Sequence, residues 1–273
     1  MSCRQYSLGE KLRRLENWFS GKRGVLVAFS GGVDSTLVAA LAAKTLGDRA
    51  VAITVRTEFL GEGDLERAGK SAIEAGIKHE ILELRLPEEV LMNTQDRCYL
   101  CKAALMKELL YAAGRLGIDL VVDGTNSDDI SAGRPGIKAL RELGIRSPLA
   151  EVGVSKKESY ELSVMIGLSV DKGSNSCLAT RFPFGHRFTE EEGRMVEKGE
   201  RFLRTRGFRT VRVRVTDLSA RIEVGPAEID KALDRDLRKE IVHEFRRLGF
   251  RSVSLDLEGY RPGSMDYLES SRL

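Results

Sequence analysis

Apolar and polar positions follow distinct rhythms along the chain. Leu8, Leu12, Leu15 and Phe19 recur at helical spacing and predict a short amphipathic helix. Val25-Leu26-Val27-Ala28-Phe29 is an unbroken apolar run of the length of a buried strand, and Leu37-Val38-Ala39-Ala40-Leu41 sits inside a predicted helix over about 35–45. The same alternation continues with a strand at 50–55, a helix at 64–75, a strand at 80–84, a helix at 101–115 and a strand at 120–123. Ser155-Lys156-Lys157-Glu158 has capping-box spacing and opens a helix to about Ile166. Such alternation predicts an α/β fold with a parallel sheet wrapped by helices. Ligands then bind beyond the carboxyl ends of the strands, where Ser30, Thr54 and Gly124 fall.

The rhythm changes near Asp171, where 171–176 reads as a loop. Thr189-Glu190-Glu191-Glu192 caps a helix to about Arg206. Val211-Arg212-Val213-Arg214-Val215 alternates strictly, as a half-buried strand does. Strands at 220–224 and 252–257 flank a long predicted helix over about 227–248. The expected organisation is an α/β domain over 1–172 and a smaller α+β domain over 173–273.

With 273 residues and 42% hydrophobic content the chain can bury a sizeable core. Its 44 basic and 41 acidic residues leave a net charge of +3, which does not argue for nucleic acid. No apolar run approaches a membrane span and the N-terminus lacks an apolar signal core, so a cytoplasmic protein is expected. The 4 cysteines do not make a secreted disulfide scaffold.

Between the first strand and its helix lies Ser30-Gly31-Gly32-Val33-Asp34-Ser35. Glycines let backbone approach an anion, and the N–H groups of a helix start point at it. Ser30, Ser35 and Thr36 add hydroxyl donors. The loop resembles that of the PP-loop ATP pyrophosphatases, which holds the pyrophosphate of ATP. No Gly-Lys-Ser/Thr follows, so it is not a Walker A loop. Asp123-Gly124-Thr125-Asn126-Ser127-Asp128-Asp129 closes the fourth strand and is expected to complete the nucleotide side. There a glycine admits a ligand and carboxylates, among them Asp129, suit Mg²⁺, with Asp34 sharing the metal.

Cys98-Tyr99-Leu100-Cys101 puts two thiols on one face at a helix start, beside Arg97 and Lys102. Alone this is open among zinc, redox and cluster binding. A third thiol, Cys177, stands in Cys177-Leu178-Ala179-Thr180-Arg181-Phe182-Pro183-Phe184-Gly185, and Cys3 is left over. Three thiolates suit a [4Fe–4S] cluster with one open iron, whereas four suit zinc. On the predicted strand, Arg212 and Arg214 share a side and suit a phosphate gripped by paired N–H bonds.

The motifs SGGVDS, RCYLCK, DGTNSDD and CLATRFPFG and the tail Leu255–Ser264 together resemble the LarE family, ATP-dependent sulfurtransferases of nickel-pincer nucleotide cofactor assembly. The resemblance implies adenylation of a carboxylate of pyridinium-3,5-biscarboxylic acid mononucleotide and its conversion to a thiocarboxylate. It implies Cys177 as the sulfur site, either sacrificial or joined by Cys98 and Cys101 in holding a [4Fe–4S] cluster. It implies Arg212 and Arg214 as ligands of the substrate phosphate, Asp34, Glu200 and Arg181 as catalytic, and Glu200 and Asp230 as acidic positions near substrate or Mg²⁺. Ser30, Gly31, Gly32, Asp34, Ser35, Thr54, Gly124, Thr125 and Asn126 would hold ATP. The implied partners are the mononucleotide, a sulfide source and further copies of the chain. Competing readings are a PP-loop tRNA thiolase and a non-catalytic adenine-nucleotide sensor.

Overall fold

The computed structural model describes residues 6–169 and 176–261. Cys3, the loop 171–175, the expected domain boundary at 172/173 and the motif's end at 262–264 lie outside the described residues. Two compact units are present, one of residues 1–90 and 96–175, the other of 91–95 and 176–273.

The first unit opens with α1 (Leu8–Phe19), β1 (Val25–Ala28), α2 (Val33–Leu46), β2 (Ala50–Arg56), α3 (Glu62–Ala75), β3 (Lys78–Glu83) and α4 (Glu88–Leu91, whose last residue belongs to the other unit). It continues with α5 (Arg97–Arg115), β4 (Val121–Val122), α6 (Ser127–Ser131), α7 (Pro135–Glu142), α8 (Pro148–Val152) and α9 (Lys156–Met165). All strand pairs are parallel, in the order β3-β2-β1-β4. The two faces of β1 seed two cores. Val25 and Val27 pack with Leu15, Phe19, Leu37, Leu41, Ala68 and Leu162 from α1, α2, α3 and α9. Leu26 packs with Val51, Ile53, Met106, Leu109 and Leu140, under α5 and α7. Both faces are covered, which is why β1 reads as a continuous apolar run.

Strand order reverses between β1 and β4, so the crevice of an open parallel sheet falls beside the loops that follow these strands. Capping boxes fix the helices around it. Ser7 and Glu10 start α1, Asn126 and Asp129 start α6, and Ser155 and Glu158 start α9. Each cap contributes about 1 kcal/mol.

The second unit contains α10 (Glu190–Thr205), β5 (Val211–Thr216), β6 (Ser219–Val224), α11 (Ile229–Leu233), α12 (Arg235–Arg247) and β7 (Ser252–Leu255). β6 lies centrally, antiparallel to β5 and parallel to β7. Gly199 sits where a Cβ would come within 3.1 Å of the Phe245 ring, so α10 and α12 pack closely.

Two sequence expectations are corrected here. The long helix over 227–248 is broken: Asp234 adopts φ −50° and ψ 137°, and its side chain caps α12 by accepting from the N–H groups of Asp236 and Leu237. β5 is not half-buried, since Val211 through Val215 are all buried, arginines included. The charges tolerate burial because each finds partners within the unit, as described below.

Candidate active site

The nucleotide side is built wholly within the first unit. β1 delivers the chain to Ser30, and Gly31 turns it at φ +69°. A Cβ on Gly31 would lie 2.6 Å from the Ala68 Cα, so this glycine serves the packing of α3 as well as the turn. Gly32 is the N-cap of α2 and offers no side-chain cap. The first-turn N–H groups of α2 therefore present an uncapped dipole end suited to an anion. Ser35 Oγ donates to the Gly32 carbonyl at 3.0 Å and lies 3.1 Å from Ser30 Oγ, which braces the loop.

Gly124 departs from the expected role of admitting a ligand. A Cβ there would meet the Ser35 N at 2.7 Å and the Asp34 carbonyl carbon at 3.0 Å. The close approach is thus between the loop after β4 and the start of α2. The rest of that loop is spent on itself. Asp123 accepts from Thr125 N at 3.1 Å, Thr125 Oγ1 at 2.6 Å and Ser147 Oγ at 2.7 Å. Asn126 is buried and accepts from the N–H groups of Asp128 and Asp129. Asp129 accepts in return from Asn126 N and pairs with Arg134 at 3.1 Å. These contacts make Thr125, Asn126 and Asp129 the frame of the loop.

Asp34 differs from them. Its Oδ2 accepts from Lys156 Nζ, whereas its Oδ1 is buried with no hydrogen-bond partner among the described residues. A buried orphan carboxylate oxygen at an uncapped helix start suits a divalent cation carried by ATP phosphates. Lys156, the first residue of α9, escaped the sequence reading because its motif signals only a cap; the fold brings its ammonium to Asp34. Thr54 lies inside β2 rather than beyond its end, and its hydroxyl donates to the Phe29 carbonyl at 2.9 Å and meets His79 Nε2 at 2.8 Å. It thereby fixes the end of β1 instead of facing a ligand. Burial pushes the pKa of His79 down, so its ring is neutral at physiological pH.

The arginines and Cys177 belong to the second unit. Cys177 is exposed and stands immediately before the short 3-10 turn Leu178–Arg181, without a side-chain cap to it. Arg181 is buried and binds its own loop, donating from Nη1 to the carbonyls of Ser176 (2.8 Å) and Cys177 (3.2 Å) and to Thr180 Oγ1 (2.9 Å). Its other edge forms a two-pronged pair with Glu200, Nε to Oε1 at 2.8 Å and Nη2 to Oε2 at 3.1 Å. Glu200 also accepts from Val213 N at 3.1 Å and Arg204 Nη2 at 2.9 Å. Burial opposes its ionisation, but Arg181, then Arg204 and Arg212, outweigh that and hold its pKa below the ordinary value. Carboxylate oxygens so occupied suit an anchor of cations better than a metal ligand.

Arg214 donates from Nε to Glu223 at 3.0 Å and from Nη1 to the Thr180 carbonyl at 2.7 Å. Arg212 donates to the Val211 carbonyl at 2.7 Å and lies over the Tyr260 ring. Burial, and the charge of Arg181 nearby, push its pKa down. Glu223, fully buried on β6 directly opposite Arg212, was missed; cross-strand pairing of the two alternating strands carries the signal for it. Asn93, buried with φ +52°, donates from Nδ2 to the Pro183 carbonyl at 2.8 Å and also to those of Ala179 and Phe182. Asp230 is exposed in the first turn of α11.

Cys98 and Cys101 lie near the start of α5, Cys98 exposed and Cys101 half-buried. Among the described residues no group of three or more His, Cys, Asp or Glu is gathered to hold a metal ion. Among the same residues no helix is long and apolar enough to cross a membrane.

The family model of NAD synthase matches residues 12–121, the span from α1 through the first residue of β4. Over 246 residues the chain is 36% identical to the pyridinium-3,5-bisthiocarboxylic acid mononucleotide synthase of Lactiplantibacillus plantarum, covering 89% of this chain and 88% of that one. The chain belongs to the LarE family. It is an ATP-dependent sulfurtransferase. Two further relatives are uncharacterized proteins, one of Synechocystis at 42% identity over 95% of this chain and 98% of its own. The other, from Methanocaldococcus jannaschii, is 30% identical over 92% of this chain and 98% of its own. Coverage of both LarE-family units by these full-length matches carries the assignment beyond the ATP-binding part that the NAD synthase family shares.

Proposed function

We propose that this chain adenylates a carboxylate of pyridinium-3,5-biscarboxylic acid mononucleotide and converts it to a thiocarboxylate during nickel-pincer nucleotide cofactor synthesis. The observation that carries the ATP half is Asp34, whose buried Oδ1 has no hydrogen-bond partner among the described residues at the uncapped start of α2. ATP belongs to the 1–172 domain, and the substrate phosphate to the 173–273 domain.

A carboxylate resists attack by sulfur because oxide is too poor a leaving group. Attack of its oxygen on the α-phosphorus of ATP forms the acyl-adenylate and expels pyrophosphate, so that AMP becomes the later leaving group. The N–H groups at the start of α2, with Ser30 and Ser35, receive the pyrophosphate charge, and Lys156 releases Asp34 to take up a phosphate oxygen. Asp34 would hold Mg²⁺, which offsets phosphate charge when bound. Alignment of the reactants supplies effective molarities of about 10⁵ M or more. Arg212 and Arg214, side by side on β5, bind the substrate phosphate through their guanidinium groups. Glu200 positions them and Arg181, and Arg181 sets the Cys177 loop.

In the sacrificial route Cys177 Sγ attacks the acyl carbon and AMP departs. The Cβ–Sγ bond then breaks as a base removes the Cα proton, leaving the thiocarboxylate and dehydroalanine. Cys98, Cys101 and Cys177 also supply the three thiolates that suit a [4Fe–4S] cluster, and such a group would offer an externally replenished sulfide. The cysteine pair favours this second reading. It requires a sulfide source, and we place the reaction in the cytoplasm of cells, in a homo-oligomer.

The test is an anaerobic incubation with ATP, Mg²⁺ and the dicarboxylate mononucleotide. AMP and thioacid in equal amounts support the proposal; neither product refutes it. The mass of the protein afterwards separates the routes. Loss of H₂S at Cys177 marks sacrifice, and unchanged mass with continuing turnover marks external sulfide.

A further inference from the structure

The described part of the tail motif, 255–261, delivers an aromatic ring to the arginines of the second unit. After β7 the Asp256 N–H donates to the Ile222 carbonyl at 2.9 Å, and the chain enters a tight turn. In it the Gly259 N–H donates to the Asp256 carbonyl at 3.1 Å and the Glu258 N–H to Asp256 Oδ1 at 3.0 Å. Gly259 has φ +71°, and a Cβ there would lie 2.7 Å from the Val224 carbonyl oxygen. Glycine meets both demands. The Tyr260 N–H then donates to that same Val224 oxygen at 2.7 Å. Val224 pairs with Val211, so Tyr260 is fastened beside the start of β5. Its half-buried ring has the Arg212 guanidinium over it, with Cζ 5.2 Å from the ring centroid.

Arg212 stands among like charges. It is only 7% exposed, and both Arg181 and Arg214 repel it. The two carboxylates of this cluster are engaged by other arginines. Glu200 accepts from Arg181 and Arg204. Glu223, directly opposite Arg212, accepts from Arg214 at 3.0 Å and from Arg221 at 3.2 Å.

A ring face restrains a guanidinium differently from a carboxylate. It attracts the cation through its quadrupole, most strongly where water is excluded. It brings no formal negative charge and no acceptor oxygen. The ring therefore fixes where the charge sits without neutralising it, and it does not compete with an anion for the N–H donors. That is the hold suited to an arginine whose task is to meet a phosphate.

We propose that Tyr260 is a positioning residue for Arg212, its ring holding the guanidinium where the phosphate of the mononucleotide meets it. The inference rests on the reading that Arg212 binds that phosphate. It gives the tail motif a task and assigns the task to the Tyr260 ring rather than to its hydroxyl. The phosphate is remote from the carboxylate that reacts, so ground state and transition state share the contact. Weakening it raises KM and leaves kcat.

The test uses the full chain with the dicarboxylate mononucleotide and with the corresponding nucleoside, which lacks the phosphate. Affinities are measured by calorimetry for wild type, Tyr260→Phe, Tyr260→Leu, Tyr260→Met and Arg212→Gln, and KM and kcat from pyrophosphate release at saturating ATP. Tyr260→Phe keeps the ring and should bind the mononucleotide within about twofold of wild type. Tyr260→Leu should bind it about fivefold or more weakly, with KM raised to match, kcat within about twofold and nucleoside affinity unchanged. Tyr260→Met, which fills more of the volume, is read in its place where the melting curve shows Tyr260→Leu unfolded. In an Arg212→Gln background Tyr260→Leu should add no further loss. A loss in Arg212→Gln with none in Tyr260→Leu or Tyr260→Met overturns the inference and leaves the phosphate reading standing. So does a Tyr260→Phe variant as weak as Tyr260→Leu. A loss shared equally by the nucleoside means that the ring touches the rest of the substrate, which overturns positioning through Arg212. Unchanged mononucleotide affinity in Arg212→Gln overturns the phosphate reading itself, and the inference with it.

Discussion

Glu200 grips Arg181 edge-on through two hydrogen bonds of 2.8 and 3.1 Å, and both side chains are almost wholly withdrawn from solvent. The pair ties α10 to the loop that carries Cys177, since the other edge of the same guanidinium holds the Ser176 and Cys177 carbonyls. Removing one partner of a buried pair strands the other charge. Glu200→Ala should therefore destabilise by about 3–5 kcal/mol, measured as a lower urea midpoint. Arg181→Lys should keep the charge yet lose the fork, with a smaller stability loss and altered Cys177 alkylation kinetics.

The same carboxylate sets a pH response. Its folded pKa is held below the ordinary 4.5, so the unfolded chain binds the proton more readily. The stabilisation is fully present above the unfolded value and disappears as pH falls through the folded one. Wild type should lose stability progressively below about pH 4.5, and Glu200→Gln should show a shallower acid slope in melting temperature between pH 5 and 3, values spanning about the Glu titration range.

Much of this was legible from sequence, for identifiable reasons. The runs at Val25–Ala28 and 50–53 are apolar on both faces, and the motif between β1 and α2 has a glycine where the backbone turns. The capping box at Ser155 located α9 to the residue. What sequence could not give was long-range pairing. Lys156 reaches Asp34 across 122 positions, and Asn93 reaches Pro183 across 90. Burial of Arg212 and Arg214 was misread because alternation ordinarily means one wet face; here Glu223, Glu200 and backbone carbonyls supply partners. The break at Asp234 was hidden because an aspartate capping α12 looks, in a charged stretch, like any other helical acid.

Gly124→Ala offers a test of the packing between the two nucleotide loops. Its Cβ would lie 2.7 Å from the Ser35 N, which is backbone and cannot rotate away. The start of α2 must shift, and ATP affinity should fall by at least tenfold, or about 1.4 kcal/mol, with fluorescence or calorimetry as the readout. Asp123→Asn should have a milder effect, because the side-chain shape is kept, the Thr125 and Ser147 hydroxyls can reorient, and the pair lost with Lys102 is a long one at 4.0 Å.

Asp34 and Lys156 should separate by function. Asp34→Ala deletes one buried oxygen without a partner and one paired to the half-exposed Lys156 ammonium, so stability should change little while Mg²⁺-dependent pyrophosphate release is lost. Lys156→Met leaves the Asp34 carboxylate without its ammonium and should lower the pyrophosphate release rate while retaining Mg²⁺ binding, checked by metal titration.

Residues 91–95 belong with the second unit although the chain on either side of them belongs to the first. Leu91 accepts from the Phe188 N–H and Asn93 from that of Gly185, and the Asn93 amide clamps the segment before them. The C-terminal part is therefore not an autonomous module that a gene fusion can lift out in one cut. A fragment beginning at Ser176 would leave behind the short stitch that holds the stretch 182–188, so any transplant of this unit must carry both segments together.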